Sequence, residues 1–197
     1  MKPPDIFIAL KPVINIFEKL SIPYYIGGSI ASSIYGIARA TMDVDIVADI
    51  DIHHIPALKQ HLENDYYIDE DMIKEAIRNK SSFNLIHLET VLKIDVFIYK
   101  DEPYQRNAIQ RKLKDTIIEE DNSDAIFYFS SPEDIIINKL IWYKMGGEVS
   151  DRQWLDVTGV IKVQGDSLDK NYLKEWSQKL KIFELLNKAF NESEIKL

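Results

Sequence analysis

Residues 24–47 read YYIGGSIASSIYGIARATMDVDIV, and this stretch decides the fold. Tyr24-Tyr25-Ile26 is a short strand-like run that stops at Gly27-Gly28. Residues 29–35 resume helical character until Gly36 ends it. Residues 43–47 then alternate polar and apolar side chains, as a half-buried strand does. Strand, glycine turn, helix and strand in that order open an α/β domain.

Upstream, Ile6, Leu10, Val13, Phe17 and Leu20 recur at three and four residues. They predict an amphipathic helix against a sheet, either continuous or restarted at Pro12. Downstream, residues 52–62 look helical, and residues 83–87 and 91–99 are strand runs separated by a turn near Glu89-Thr90. Residues 112–118 and 125–129 suggest another strand pair flanking an acidic turn at 119–124. Ser131-Pro132 with Asp134 marks a capped helix start, and helical patterns then continue to Phe190. The expected class is α/β (α+β): a short mixed sheet with flanking helices over residues 1–130, carrying its acids at an exposed end. A helical subdomain over 131–197 is expected to close a cleft. No internal repeat or low-complexity tract interrupts this order.

The chain has 197 residues, no cysteine and a formal net charge of -8. That length suits one ordinary domain, or a core with a small helical annex. Without cysteine there is neither a disulfide framework nor a thiolate metal site, so a reducing compartment, the cytoplasm, is expected. The longest apolar stretches, such as residues 135–143, are short and broken by Asn138 and Lys139, so no bilayer span is expected. The N-terminal residues, with Asp5, Lys11 and two early prolines, lack the pattern of a signal peptide. The acidic balance disfavours a long nucleic-acid partner, which needs a basic surface. Arg106, Arg111, Lys112 and Lys114, and Lys170, Lys174, Lys179 and Lys181, form either local basic patches or simply solvated surface.

Asp43-Val44-Asp45 sets two acids two residues apart on a strand, so both project from one face. Hard divalent ions take carboxylate oxygens, and two such acids can share ions spaced roughly 3.5 to 4 Å apart. Phosphoryl and nucleotidyl transfer needs such ions to bridge phosphate oxygens. Asp95, in Lys93-Ile94-Asp95-Val96-Phe97, is a lone acid in an otherwise apolar strand, where an unpaired charge is costly. If that strand runs beside the Asp43 strand, Asp95 becomes a third metal ligand and the general base for an acceptor hydroxyl. The alternative is an exposed edge acid.

Gly27-Gly28-Ser29, between a strand and a helix, lets backbone approach a phosphate while the helix N-terminus and the Ser29 hydroxyl donate to it. The same tripeptide also serves as a plain turn. Lys139 falls on the helical wheel between Ile135 and Ile136 and beside Tyr143. A lysine in that apolar arc needs an anion, unless its stem carries the ammonium to water. Asp156 either orients Lys139 or the acceptor, or pairs with Arg152 one turn away. Arg39 either binds phosphate or ties its loop to the acidic strand. His53, His54, His61 and His87 lack ligand spacing with a helical acid and read as surface or boundary residues. Trp142, Trp154 and Trp176 read as core, because no basic groove accompanies them as in a base-stacking platform.

Taken together, these stretches resemble the nucleotidyltransferase superfamily of polymerase-beta-like fold, in particular its abortive-infection (AbiEii-like) branch, which includes bacterial toxins. That branch reads Gly-Gly, helix, Arg-x-Thr-x-Asp-x-Asp, and Arg39 to Asp45 matches position by position. Ser131-Pro132-Glu133-Asp134, Lys139, Gly146-Gly147, Asp151-Arg152-Gln153-Trp154 and Asp156 resemble its helical half. The resemblance spans nearly the whole chain, the departures lying around residues 102–124. It implies Asp43, Asp45 and Asp95 as catalytic and metal-binding carboxylates, magnesium or manganese as the ion, and a nucleoside triphosphate as substrate. A nucleoside monophosphate would pass to an acceptor hydroxyl with pyrophosphate leaving. Gly27, Gly28 and Ser29 would seat phosphates, Lys139 would contact the triphosphate with Tyr143 under the base, and Arg39 and Thr41 would arrange the site. The acceptor would be a small molecule such as an antibiotic, a partner protein, or the end of a transfer RNA, and an antitoxin protein is a further implied partner. A rival reading is a non-catalytic nucleotide- or partner-binding module, against which the presence of all three carboxylates counts.

Overall fold

The computed structural model describes residues 3–118 and 124–197. Its helices are α1 (Pro3–Lys19), α2 (Gly28–Tyr35), α3 (Ile55–Leu62), α4 (Glu70–Asn79), α5 (Pro103–Gln110), α6 (Pro132–Met145), α7 (Asp151–Gln164), α8 (Lys170–Lys179) and α9 (Phe183–Glu192). Its strands are β1 (Tyr24–Ile26), β2 (Asp43–Ala48), β3 (Tyr66–Tyr67), β4 (Ser82–His87), β5 (Lys93–Ile98), β6 (Leu113–Ile118) and β7 (Asp124–Phe129). The strands described form one mixed sheet in the order β3-β4-β5-β2-β1-β7-β6. The class is therefore α/β, as the alternation of elements suggests. The acidic turn expected at 119–124 falls, apart from Asp124, outside the described residues. The chain divides into two compact units, Met1–Gly27 with Ala40–Phe129, and Gly28–Arg39 with Ser130–Leu197.

The first unit is built on the sheet. β2 and β5 run parallel in register, while β4 joins β5 and β1 joins β2 in antiparallel fashion. Successive residues on each strand point to opposite faces. Val44, Ile46 and Ala48, Ile94, Val96 and Ile98, and Phe83 and Leu85 are therefore buried on one face. The valine, isoleucine, leucine and phenylalanine side chains among them each contribute about 1.5 to 3 kcal/mol when fully buried, and Ala48 less. The covering residues include Leu10, Val13 and Phe17 of α1, with the Phe17 ring 5.8 Å from that of Tyr24, and Ile73 and Ala76 of α4. α1 runs through Pro12 without a restart, at the loss of one backbone donor. The Tyr66 hydroxyl donates to the Ala9 carbonyl at 2.6 Å and ties β3 to that helix. His87, expected at the surface or the boundary, is buried instead. Its ring lies 5.1 Å from Tyr66, and its Nδ1 is 2.9 Å from the Thr90 hydroxyl, a partner that makes burial tolerable.

The second unit is helical. Ser131 caps α6 by accepting from the Asp134 amide, and Pro132 occupies the first turn, where a missing N–H costs nothing. α2 packs with α6 and α7. A Cβ added to Gly36 would lie 2.8 Å from the Ser32 carbonyl oxygen and 2.9 Å from the Val160 amide nitrogen. The end of α2 thus meets α7 at a spot that only glycine fits. Gly36→Ala is expected to lower unfolding free energy by about 1 to 3 kcal/mol through overpacking, seen as a lower urea midpoint. An unchanged midpoint would show that the contact yields. Trp176 is buried, but Trp142 is 51% exposed, against the core position expected for it. α6 is apolar on most of its circumference, so its pattern alone does not say which side faces water.

Candidate active site

The face of β2 and β5 opposite the core carries the acids. Register pairs Asp45 with Asp95 and Asp43 with Lys93 across the parallel strands. Paired residues share a face, so Asp43, Asp45 and Asp95 project from the same side of the sheet. Antiparallel β4 adds Asn84 opposite Asp95, completing a row of Asn84, Asp95 and Asp45. Gly27 extends the row, since its N–H donates to the Asp45 carbonyl at 2.8 Å. The glycine turn therefore begins level with the carboxylates. Thr41 steadies the start of β2, its hydroxyl 3.2 Å from the Asp43 carbonyl and 3.3 Å from the Asp43 carboxylate.

Asp95 finds its partner on its own strand. The Lys93 ammonium lies 2.7 Å from the Asp95 carboxylate, whose side chain is 17% exposed. The hydrogen bond to Asp95 raises the Lys93 pKa above its ordinary value against the opposing effect of burial, with the charges of Asp95, Asp43 and Asp45 adding to the rise. Asp43, Asp45 and Asp95 thus all lie near enough to Lys93 for their charges to favour its ammonium form. In donor type and in face these carboxylates suit a hard divalent ion. Among the described residues, no three His, Cys, Asp or Glu side chains converge closely enough to form a ligand group as they stand.

In the helical unit, Gly28 opens α2 with a φ of 57°, a left-handed conformation that glycine adopts without strain. Ser29 follows, and its hydroxyl accepts from Arg39 Nη2 at 2.5 Å. Arg39 also grips Asp156 with two nitrogens, Nε at 2.9 Å and Nη2 at 3.1 Å. Lys139 reaches the same carboxylate at 2.7 Å, with its side chain 9% exposed and that of Asp156 only 4%. The anion that Lys139 needs is thus Asp156. Of the partners considered for Asp156, Lys139 is realised here, joined by Arg39 from the distant Arg-x-Thr motif. Burial opposes the charged form of Asp156, but the hydrogen bonds from Arg39 and Lys139 and their charges outweigh it and hold the pKa below the usual carboxylate range. Tyr143 is buried, its ring centroid 5.1 Å from that of Trp154 with the two rings tilted by 39°.

Asp43, Asp45, Asp95, Thr41 and Gly27 are therefore gathered in the sheet unit, and Gly28, Ser29, Arg39, Lys139, Tyr143 and Asp156 belong to the helical unit. Two residues of the acidic face escape a reading of the sequence. Lys93 carries a usable signal, because a residue two positions before Asp95 on a strand must share its face. Asn84 carries none, since its position follows from the β4–β5 register alone.

No protein-family model matches the sequence, and no curated protein matches it. Among solved structures, an antigenic nucleotidyltransferase-like protein from Paracoccidioides brasiliensis is similar with a TM-score of 0.50 at 18% identity, over 96% of this chain and 93% of that one. Lower similarity extends to the antibiotic-resistance factor ANT(2'')-Ia, with a TM-score of 0.49, 16% identity and coverage of 98% and 94%. It extends also to the lincomycin-bound lincosamide antibiotic adenylyltransferase LnuA, with a TM-score of 0.48, 14% identity and coverage of 83% and 98%. The chain has a nucleotidyltransferase-like fold. No helix among the described residues is long and apolar enough to cross a membrane.

Proposed function

We propose that this chain is a metal-dependent nucleotidyltransferase that moves a nucleoside monophosphate from a nucleoside triphosphate to an acceptor hydroxyl, releasing pyrophosphate. The observation that carries the reading is the register of Asp45 with Asp95, with Asp43 on the same face and Gly27 level with them. Asp43, Asp45 and Asp95 would hold magnesium or manganese. Bound there, the ions would supply charge neutralisation on the phosphate oxygens. Asp95 accepts the proton of the acceptor hydroxyl as its oxygen bonds to the α-phosphorus and the bond to pyrophosphate breaks. Gly28 and Ser29, at the start of α2, offer backbone and hydroxyl donors to phosphate. Arg39 and Lys139, held by their shared carboxylate Asp156, supply positive charge for the triphosphate. Thr41 fixes the approach to the acidic strand.

The acidic balance of the chain favours a small molecule or a protein as acceptor over a transfer RNA of the toxin kind. The test is to supply labelled triphosphate and magnesium with purified transfer RNA, total protein or small metabolites across a salt series. Labelling of a small or protein acceptor with a shallow salt dependence is expected. Labelling of transfer RNA that collapses with salt would move the acceptor to RNA. No labelled product from any source would favour the non-catalytic binding module.

A further inference from the structure

Lys93 is a cation among acids, and its setting differs from that of an ordinary surface lysine. It stands two residues before Asp95 on β5, so both side chains leave the sheet on one face. In register it sits opposite Asp43, and its ammonium is 2.7 Å from the Asp95 carboxylate. The Asp95 side chain is 17% exposed and short, whereas the Lys93 side chain is 45% exposed on a flexible stem. The short Asp95 side chain is thus confined to the acidic face, whereas the long Lys93 stem has rotamers that carry its ammonium toward water. A carboxylate lobe already bonded to an ammonium cannot at the same time ligate a metal ion or accept a proton through the same lone pairs.

We propose that Lys93 is a positioning residue for Asp95: it holds the carboxylate before an ion binds, gives it up when one does, and so sets the affinity of the acidic face for divalent ions. The inference rests on the proposed metal-dependent reading of the same face. Without a cation the three acids repel one another, and Lys93 relieves part of that repulsion. A partly exposed lysine–carboxylate pair is weak enough to be exchanged, because water and salt screen it. Its positive charge nevertheless opposes the approach of a second cation. Lys93 therefore makes the empty face more stable and the loaded face less favourable.

The test needs no nucleotide and no turnover. Free Mn2+ is measured by electron paramagnetic resonance against wild-type protein, Lys93→Gln, Lys93→Met, Lys93→Arg and Asp45→Asn, and melting is followed in chelator and in excess Mn2+. Lys93→Gln is expected to bind Mn2+ about 3- to 10-fold more tightly than wild type, the scale of removing one nearby like charge in a screened setting. Lys93→Met, which keeps the aliphatic stem, should do the same, and Lys93→Arg should return the affinity to that of wild type. Both neutral variants should melt lower than wild type in chelator and gain more from Mn2+. Unchanged or weaker Mn2+ binding in both neutral variants would overturn the role of Lys93 while leaving the metal site standing. Equal Mn2+ binding by wild type and Asp45→Asn would overturn the metal site itself, and the inference with it.

Discussion

Asp45→Asn is expected to reduce nucleotidyl transfer by about a thousandfold, the equivalent of roughly 4 kcal/mol of lost transition-state stabilisation. Asp45 sits between Gly27 and Asp95 in the central row of the acidic face, so its carboxylate is the one best situated to share ions with both Asp43 and Asp95. The amide keeps the shape and removes the charge that a divalent ion requires. The core should not notice, because Val44 and Ile46 carry the buried side of β2 while Asp45 is on the half-exposed side. Magnesium with triphosphate should raise the melting temperature of wild type, and Asp45→Asn should lose most of that rise. Full activity in the variant would remove Asp45 from the metal site.

Asp156→Ala is expected to act on stability, by about 3 to 5 kcal/mol, the scale of breaking a buried ion pair by removing one partner. Lys139 would be left with a buried ammonium that has lost its carboxylate partner, and Arg39 would lose both of its bonds to Asp156. The pH dependence has a definite sign. Asp156 has a depressed pKa in the fold, so its contribution is fully present above the unfolded value of about 3.9 and is lost as pH falls through the lower, folded value. Urea unfolding at neutral pH should therefore separate wild type from Asp156→Ala widely, and the gap should narrow as pH is taken below about 4. A gap that is small at neutral pH would mean that the pair contributes little beyond its own desolvation.

Much of the sheet unit is legible because its signals are local. Alternation in residues 43–48 and 93–98 announces strands whose acids share a face, and the glycines at 27 and 28 announce the turn between β1 and α2. Ser131 and Pro132 likewise mark the start of α6 within one turn. α4 is harder to see, because its stop is Lys80 in a left-handed conformation in place of the glycine that normally marks a helix end. α5 buries only Tyr104 and Ala108, a stripe too short to read as a period. β3 has two residues and exists through its pairing with β4. The Arg39–Asp156 pair joins residues far apart in sequence, and no local pattern encodes it. The same distance hides the packing of α2 with α6 and α7.

The most direct measurement of the central claim follows both phosphate positions of one substrate. Wild-type protein is given magnesium, an acceptor pool, and triphosphate labelled at either the α- or the γ-phosphorus, with Asp45→Asn in parallel. Nucleotidyl transfer requires the α-label to move onto the acceptor and the γ-label to leave as pyrophosphate, with both events slowed about a thousandfold in Asp45→Asn. Transfer of the γ-label to a product, release of orthophosphate in place of pyrophosphate, or equal labelling by the variant would contradict it.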